Sequence, residues 1–189
     1  MIAVPQICNA FVAREEGCRL TAYLDSGDAR TIGYGHTGGV RAGETCTQEQ
    51  ADEWLADDLQ KAANRLSLVI QPQALGALNA YQLSALLSFV FNVGAVSNWP
   101  IWKAVSAGDH AATLAHLALY IRDGQGDIVQ GLVNRRTAER ALYLGSDPLC
   151  AQYPLAGTVA ADTTVVADAT ATAPAVANFF VDTSTPSQG

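Results

Sequence analysis

Apolar residues recur along this chain mostly at helical spacing, with one short interruption near the N-terminus. Ile7, Cys8 and Phe11 fall on one face of a first helix, and Gly17 suits its end. Residues 19–25 alternate instead, with Leu20, Ala22 and Leu24 on one side and Thr21 and Tyr23 on the other, which predicts a strand. Ser26-Gly27-Asp28 reads as a turn, and residues 31–36 as a second strand carrying Gly33 and Gly35. Thr47 followed three residues later by Gln50 makes a capping box. Ala51, Leu55, Leu59, Ala62 and Leu66 then repeat along one helix face, with Asp52, Glu53, Asp57 and Asp58 on the others. Pro72 breaks that pattern. Residues 79–93 are apolar on nearly every side, the mark of a helix buried in mid-domain, and Gly94 ends it. Shorter helices are predicted over residues 100–107, 109–121 and 134–144, with a glycine-containing loop at 122–127 between the last two. A small sheet followed by many helices is an α+β layout, mainly helical.

Composition divides the chain near residue 150. Residues 1–150 hold 11 basic and 15 acidic side chains, while residues 151–189 contain no Lys or Arg and are rich in Ala, Thr and Val. The expected organisation is therefore a core-bearing domain over 1–150 and a linker or extended appendage over 151–189. A β-prone segment that docks on a partner, through Val165-Val166 and Phe179-Phe180-Val181, is the alternative for the tail.

The formal net charge of −7 argues against a nucleic-acid binder, which needs clustered Lys and Arg, and gives no polybasic membrane signal. Four Cys and three His are too scattered to spell a metal site. Residues 1–13 lack a basic stretch, contain Pro5 and Asn9 and run straight into Arg14, Glu15 and Glu16, unlike an export signal. No apolar run reaches the roughly 18 residues of a spanning helix. Synthesis in the cytoplasm, without stable membrane insertion, is the expectation.

One constellation carries chemistry. Glu16 closes the first helix, Asp25 lies nine residues on at the end of the first strand, and Thr31 opens the second. A hairpin folded beside the helix end would bring all three to one rim. Two carboxylates across a cleft equip a protein for glycosidic hydrolysis, one donating a proton and the other handling water or developing charge. Spacing alone is a weak signal, because acidic residues near turns are usually solvated surface.

The segments E-G-C-R-L-T-A-Y-L-D at 16–25 and T-I-G-Y-G-H-T at 31–37 resemble the phage lysozyme or endolysin family, glycoside hydrolase family 24. A-L-L-S-F-V-F-N-V-G at 85–94 and G-L-V-N-R-R-T-A-E-R-A-L at 131–142 extend the resemblance over about residues 7–147. It implies a lysozyme-like fold and cleavage of the β-1,4 bond between N-acetylmuramic acid and N-acetylglucosamine in bacterial peptidoglycan. Glu16 would be the general acid, and Asp25 with Thr31 would hold the attacking water, giving inversion. Thr37 and Phe91 match positions that line the sugar cleft. No cofactor is implied. The protein would act as a monomeric lysis enzyme, held in the host cytoplasm until a holin-type pore releases it to the cell wall. Alternatives are a virion-borne wall-piercing lysozyme, with the tail as its joint, and a catalytically idle peptidoglycan-binding module. A lytic transglycosylase is disfavoured by the presence of Asp25 and Thr31.

Several positions carry competing readings. His36 reads as a structural histidine paired with a buried carboxylate, with sugar contact the alternative. Trp99 and Trp102 read as packing. Arg135, Arg136 and Arg140 read as cations complementing a helix C-terminal half, with Glu139 as a local partner, rather than as a steering patch. Cys8, Cys18, Cys46 and Cys150 allow three pairings, Cys18 with Cys46 and Cys8 with Cys150 among them, or free thiols. Family members are often basic, so the acidic balance is a departure.

Overall fold

The computed structural model describes residues 2–25 and 27–155, so the readings for the tail fall almost wholly outside the described residues. The chain runs α1 (Gln6–Glu16), β1 (Arg19–Leu24), β2 (Arg30–Gly33), α2 (Gln48–Val69), α3 (Pro72–Ala77), α4 (Ala80–Val93), α5 (Pro100–Ser106), α6 (His110–Leu117) and α7 (Gln130–Tyr143), followed by a 3₁₀ turn at Pro148–Ala151. This is the mainly helical α+β layout that the pattern predicts.

Local signals account for the helix ends. α1 buries Ile7, Cys8, Phe11 and Val12, and stops where Gly17 turns to φ 66°, ψ 156°, a region open essentially to glycine alone. Thr47 and Gln50 form the expected capping box on α2, which buries Ala51, Leu55, Leu59, Ala62, Ala63 and Leu66. Asn79 and Gln82 form a second box on α4. α4 is the central strut: it buries eight side chains and packs against α1, α2 and α7. Beyond it, Phe89, Trp99, Trp102 and Tyr120 form an aromatic cluster, and Trp102 Nε1 donates to the Val96 carbonyl at 2.8 Å. Trp99 and Trp102 are packing residues.

The hairpin departs from its pattern in two ways. Leu20 and Leu24 remain 40% and 57% exposed, because no second layer covers the apolar side of a two-stranded sheet. The second strand ends at Gly33, short of the predicted His36. Gly33 and Gly35 sit at φ 63° and 94° and turn the chain, so His36 comes back to exchange two 2.9 Å backbone hydrogen bonds with Ile32. β1 and β2 pair antiparallel with Tyr23 opposite Thr31, and the register shifts between Arg19 and Tyr23. Residues 44–46 line the other edge of β1, where Ala22 N–H donates to Glu44 and Cys46 N–H to Leu20.

Two helical boundaries also differ. α6 stops at Leu117 rather than 121, and α7 begins at Gln130, a turn earlier than the expected 134. Val129, at the N-cap of α7, makes no side-chain cap, so the sequence carries no start signal there. The 3₁₀ turn was not predicted; it is capped by Asp147, whose side chain accepts the Leu149 N–H and a bidentate pair from Arg14 of α1.

Candidate active site

Glu16 is the last residue of α1, because Gly17 ends the helix immediately after it. The hairpin delivers the other two residues. Asp25 Oδ1 accepts the backbone N–H groups of Gly27 and Ala29, both at 2.9 Å, which clamps the carboxylate across the β1–β2 turn. Its second oxygen is left facing Thr31, whose Oγ1 lies 3.4 Å from Oδ2 and 3.2 Å from the Ala29 carbonyl. Thr31 is buried. Its hydroxyl has one proton to donate, to either oxygen, and keeps lone pairs to accept from a third group. Sequence spacing thus pairs Asp25 with Thr31 as expected.

Among the described residues Glu16 shares no hydrogen bond with that pair. The hydrogen bond its carboxylate makes among the described residues runs to α7, where Arg135 Nη1 donates to Oε1. On its other side a Cβ added to Gly35 would lie 3.9 Å from Oε2, so the turn after β2 passes close to the acid. A carboxyl that serves as proton donor is commonly set against an apolar wall; here the Arg135 guanidinium stands beside it.

Arg135 opens a buried ionic network that sequence reasoning missed. Arg135, Arg136 and Glu139 are all buried; Glu139 is the local partner expected for the arginines, but the group lies inside the fold rather than simply complementing a helix end. Glu139 Oε1 accepts from Ser88 Oγ at 2.8 Å, Arg136 Nη2 at 2.9 Å and Arg135 Nε at 3.3 Å. Burial works against the charge on Arg135, but Glu16 and Glu139 outweigh it and push its pKa up. Burial pushes Arg136 down, with Arg135 adding to the fall and Glu139 opposing it. The N-R-R-T-A-E spacing places Glu139 four and three residues from the two arginines, on one helix face. What the spacing does not show is that this face points inward.

The remaining positions sort as follows. Thr37 is exposed on the loop after His36, and Phe91 is half-buried against the core. His36 Nδ1 lies 2.8 Å from Asp58 and Nε2 lies 3.1 Å from the Gly38 carbonyl, while the ring stacks on Trp54 at 5.0 Å. That is the structural role predicted for it. All four cysteines are free; burial pushes the Cys8 thiol up to about 12, whereas Cys18 is exposed. Among the described residues no group of three or more His, Cys, Asp or Glu could hold a metal ion.

A sequence model described as Phage lysozyme matches residues 13–139. The chain is 36% identical over 138 residues to the endolysin of Salmonella phage P22, covering 69% of this chain and 90% of that one. It is 38% identical over 130 residues to the endolysin of Lactococcus phage c2, covering 68% of this chain but only 54% of that relative. Among solved structures, a P22 lysozyme mutant superposes with a TM-score of 0.66 at 32% identity, covering 76% of this chain and 99% of the other. With its fold and its sequence in agreement, the chain belongs to the phage lysozyme family.

Proposed function

We propose that the protein is a muramidase of the endolysin type, hydrolysing the β-1,4 bond between N-acetylmuramic acid and N-acetylglucosamine in peptidoglycan to lyse a bacterial host. The observation that carries the mechanism is the divided use of the Asp25 carboxylate. One oxygen is spent on two backbone N–H groups, and the other is turned to Thr31. A water seated against both Asp25 Oδ2 and Thr31 Oγ1 would find a carboxylate oxygen to accept one proton and a hydroxyl oxygen to accept the other, with a lone pair left free to attack.

Glu16 gives its proton to the leaving glycosidic oxygen as the C1–O bond breaks. Water oxygen bonds C1 from the opposite face, and its proton passes to Asp25. The two carboxyl groups exchange protonation states and reset through solvent. Attack from the opposite face inverts the anomeric carbon. Thr37 and Phe91 are taken as cleft residues that touch the sugar chain.

The endolysin names of the P22 and c2 relatives support the role in host lysis. No described helix is long and apolar enough to cross a membrane. The proposed route is a cytoplasmic pool of monomers released through a holin-type pore.

Purified peptidoglycan incubated with wild type and with Glu16→Gln tests this reading. Wild type should release reducing ends with hydrolysed, not anhydro, product masses. The variant should fall by about 100- to 10,000-fold, the usual contribution of a general acid. Equal rates from the two proteins, or anhydro products, would overturn it.

A further inference from the structure

We propose that Glu139 is a positioning residue for the active site, a single buried carboxylate that anchors two arginine arms whose far ends hold Glu16 and Asn92. The inference rests on the assignment of Glu16 as the acid.

Glu139 is fully buried on α7 and touches no solvent. Its Oε1 takes hydrogen bonds from Ser88, Arg136 and Arg135, and its Oε2 lies 2.7 Å from Arg136 Nε. A carboxylate buried this deeply needs such partners, and its network could have ended with them. It does not. Arg135 continues outward to the Glu16 carboxylate, and its Nη2 is braced by Ser88 Oγ at 3.1 Å. Arg136 lies 5.0 Å over the Phe89 ring, and its Nη2 donates at 2.9 Å to Asn92 Oδ1. Asn92 is exposed at the end of α4, next to Phe91. With its oxygen held from inside, its amide N–H groups are left to donate outward, toward a sugar hydroxyl or acetamido oxygen.

The charges explain why the anchor must be an anion. With Glu16 ionised, two guanidiniums and two carboxylates sum to zero. When Glu16 carries the proton it must deliver, Glu139 is the anion that remains to hold both arginines. Without it, two adjacent guanidiniums repel, and both arms lose their fixed ends. Misplacing a reacting group by about 1 Å can cost about 100-fold in rate, so loosening the Arg135 arm should appear in kcat. Loosening the Arg136 arm should appear first in KM.

The test uses the full chain on soluble, uncross-linked peptidoglycan glycan strands, with near-UV circular dichroism confirming a native fold at the assay temperature. Glu139→Gln should lower kcat about 10- to 100-fold and raise KM as well. Ser88→Ala, which removes the brace on Arg135 and one of the bonds to Glu139 but leaves the direct contacts of Arg136 in place, should act mainly on kcat. Arg136→Met should raise KM more than it lowers kcat. A folded Glu139→Gln protein with wild-type kcat and KM overturns the proposal, whatever its melting temperature. Should Glu139→Gln fail to fold, Ser88→Ala decides: a fall in kcat supports the anchor, and wild-type kcat overturns it. Wild type and Glu16→Gln run alongside, so loss of the muramidase reading shows there, separately from loss of the anchor.

Discussion

At the residue scale the site rests on how few hydrogen-bonding options each group has. Asp25 spends one oxygen on the hairpin turn, so its other oxygen can serve chemistry only if Thr31 keeps its hydroxyl. Thr31→Val has the same shape and branching but no hydroxyl. It should lower kcat at least tenfold, within the usual range for removing one precisely placed polar group, while circular dichroism stays unchanged. Wild-type turnover by this variant would show that Asp25 holds the water unaided. The placing of Glu16 at a helix end and of Asp25 and Thr31 on a hairpin is legible in the sequence because a helix stop and a hairpin turn are local signals; their proposed roles come from the family resemblance. The Arg135 arm is not legible there. Its meaning depends on two residues 119 positions apart meeting, and nothing local in either segment reports that.

At the element scale the ends of α1 matter most, since its last residue is the proposed acid. Arg14, two residues before Glu16, pairs with Asp147 at 2.9 and 2.8 Å and ties α1 to the 3₁₀ turn. Burial on its own would raise the Asp147 carboxyl, but the Arg14 guanidinium and the Leu149 N–H hold it below the ordinary value of 3.8. A carboxyl with a lowered folded-state pKa contributes stability that is present above its unfolded value and is lost as pH falls through the folded one. Arg14 is 39% exposed, so screening limits the pair to about 1 kcal/mol. Asp147→Asn should therefore melt a few degrees below wild type at pH 7, with the gap closing as the pH drops below 4. A gap that persists in acid would assign the loss to packing.

Elements differ in how clearly sequence announces them. The Thr47 capping box announces α2 and the apolar run announces α4, and both start within a residue of the prediction; the Asn79–Gln82 box on α4 is seen only in the structure. α7 lacks a cap, and the second strand reads too long because alternation cannot register two left-handed glycines. Gly33 is further constrained: an added Cβ would lie 3.2 Å from Ala51 Cβ, so β2 sits close against α2 by having no side chain there.

At the scale of the whole molecule, the described residues bury a continuous core that spans α1, α2, α4 and α7. Tyr153 and Leu155 still pack against it, so a truncation meant to preserve the domain belongs after Leu155 rather than at residue 150. A chain ending there should keep its melting temperature within about 2 °C and its activity on purified peptidoglycan; surface changes away from packed features usually cost within about 0.5 kcal/mol. Lost activity with an unchanged melting temperature would give residues 156–189 a part in substrate engagement. The acidic balance of −7 makes broad electrostatic adhesion to an anionic wall polymer weak, so productive binding has to come from the cleft itself.

The proposed roles, Glu16 as the acid on one element and Asp25 with Thr31 as the water site on another, make one stereochemical claim. Proton NMR of the first-formed reducing end, recorded within minutes of mixing wild type with soluble glycan strands and before mutarotation, reads it directly. The account predicts the α-anomer, from water attacking opposite the leaving group. A β-anomer as first product would mean retention through a covalent or substrate-assisted intermediate, and would contradict the role given to Asp25 and Thr31.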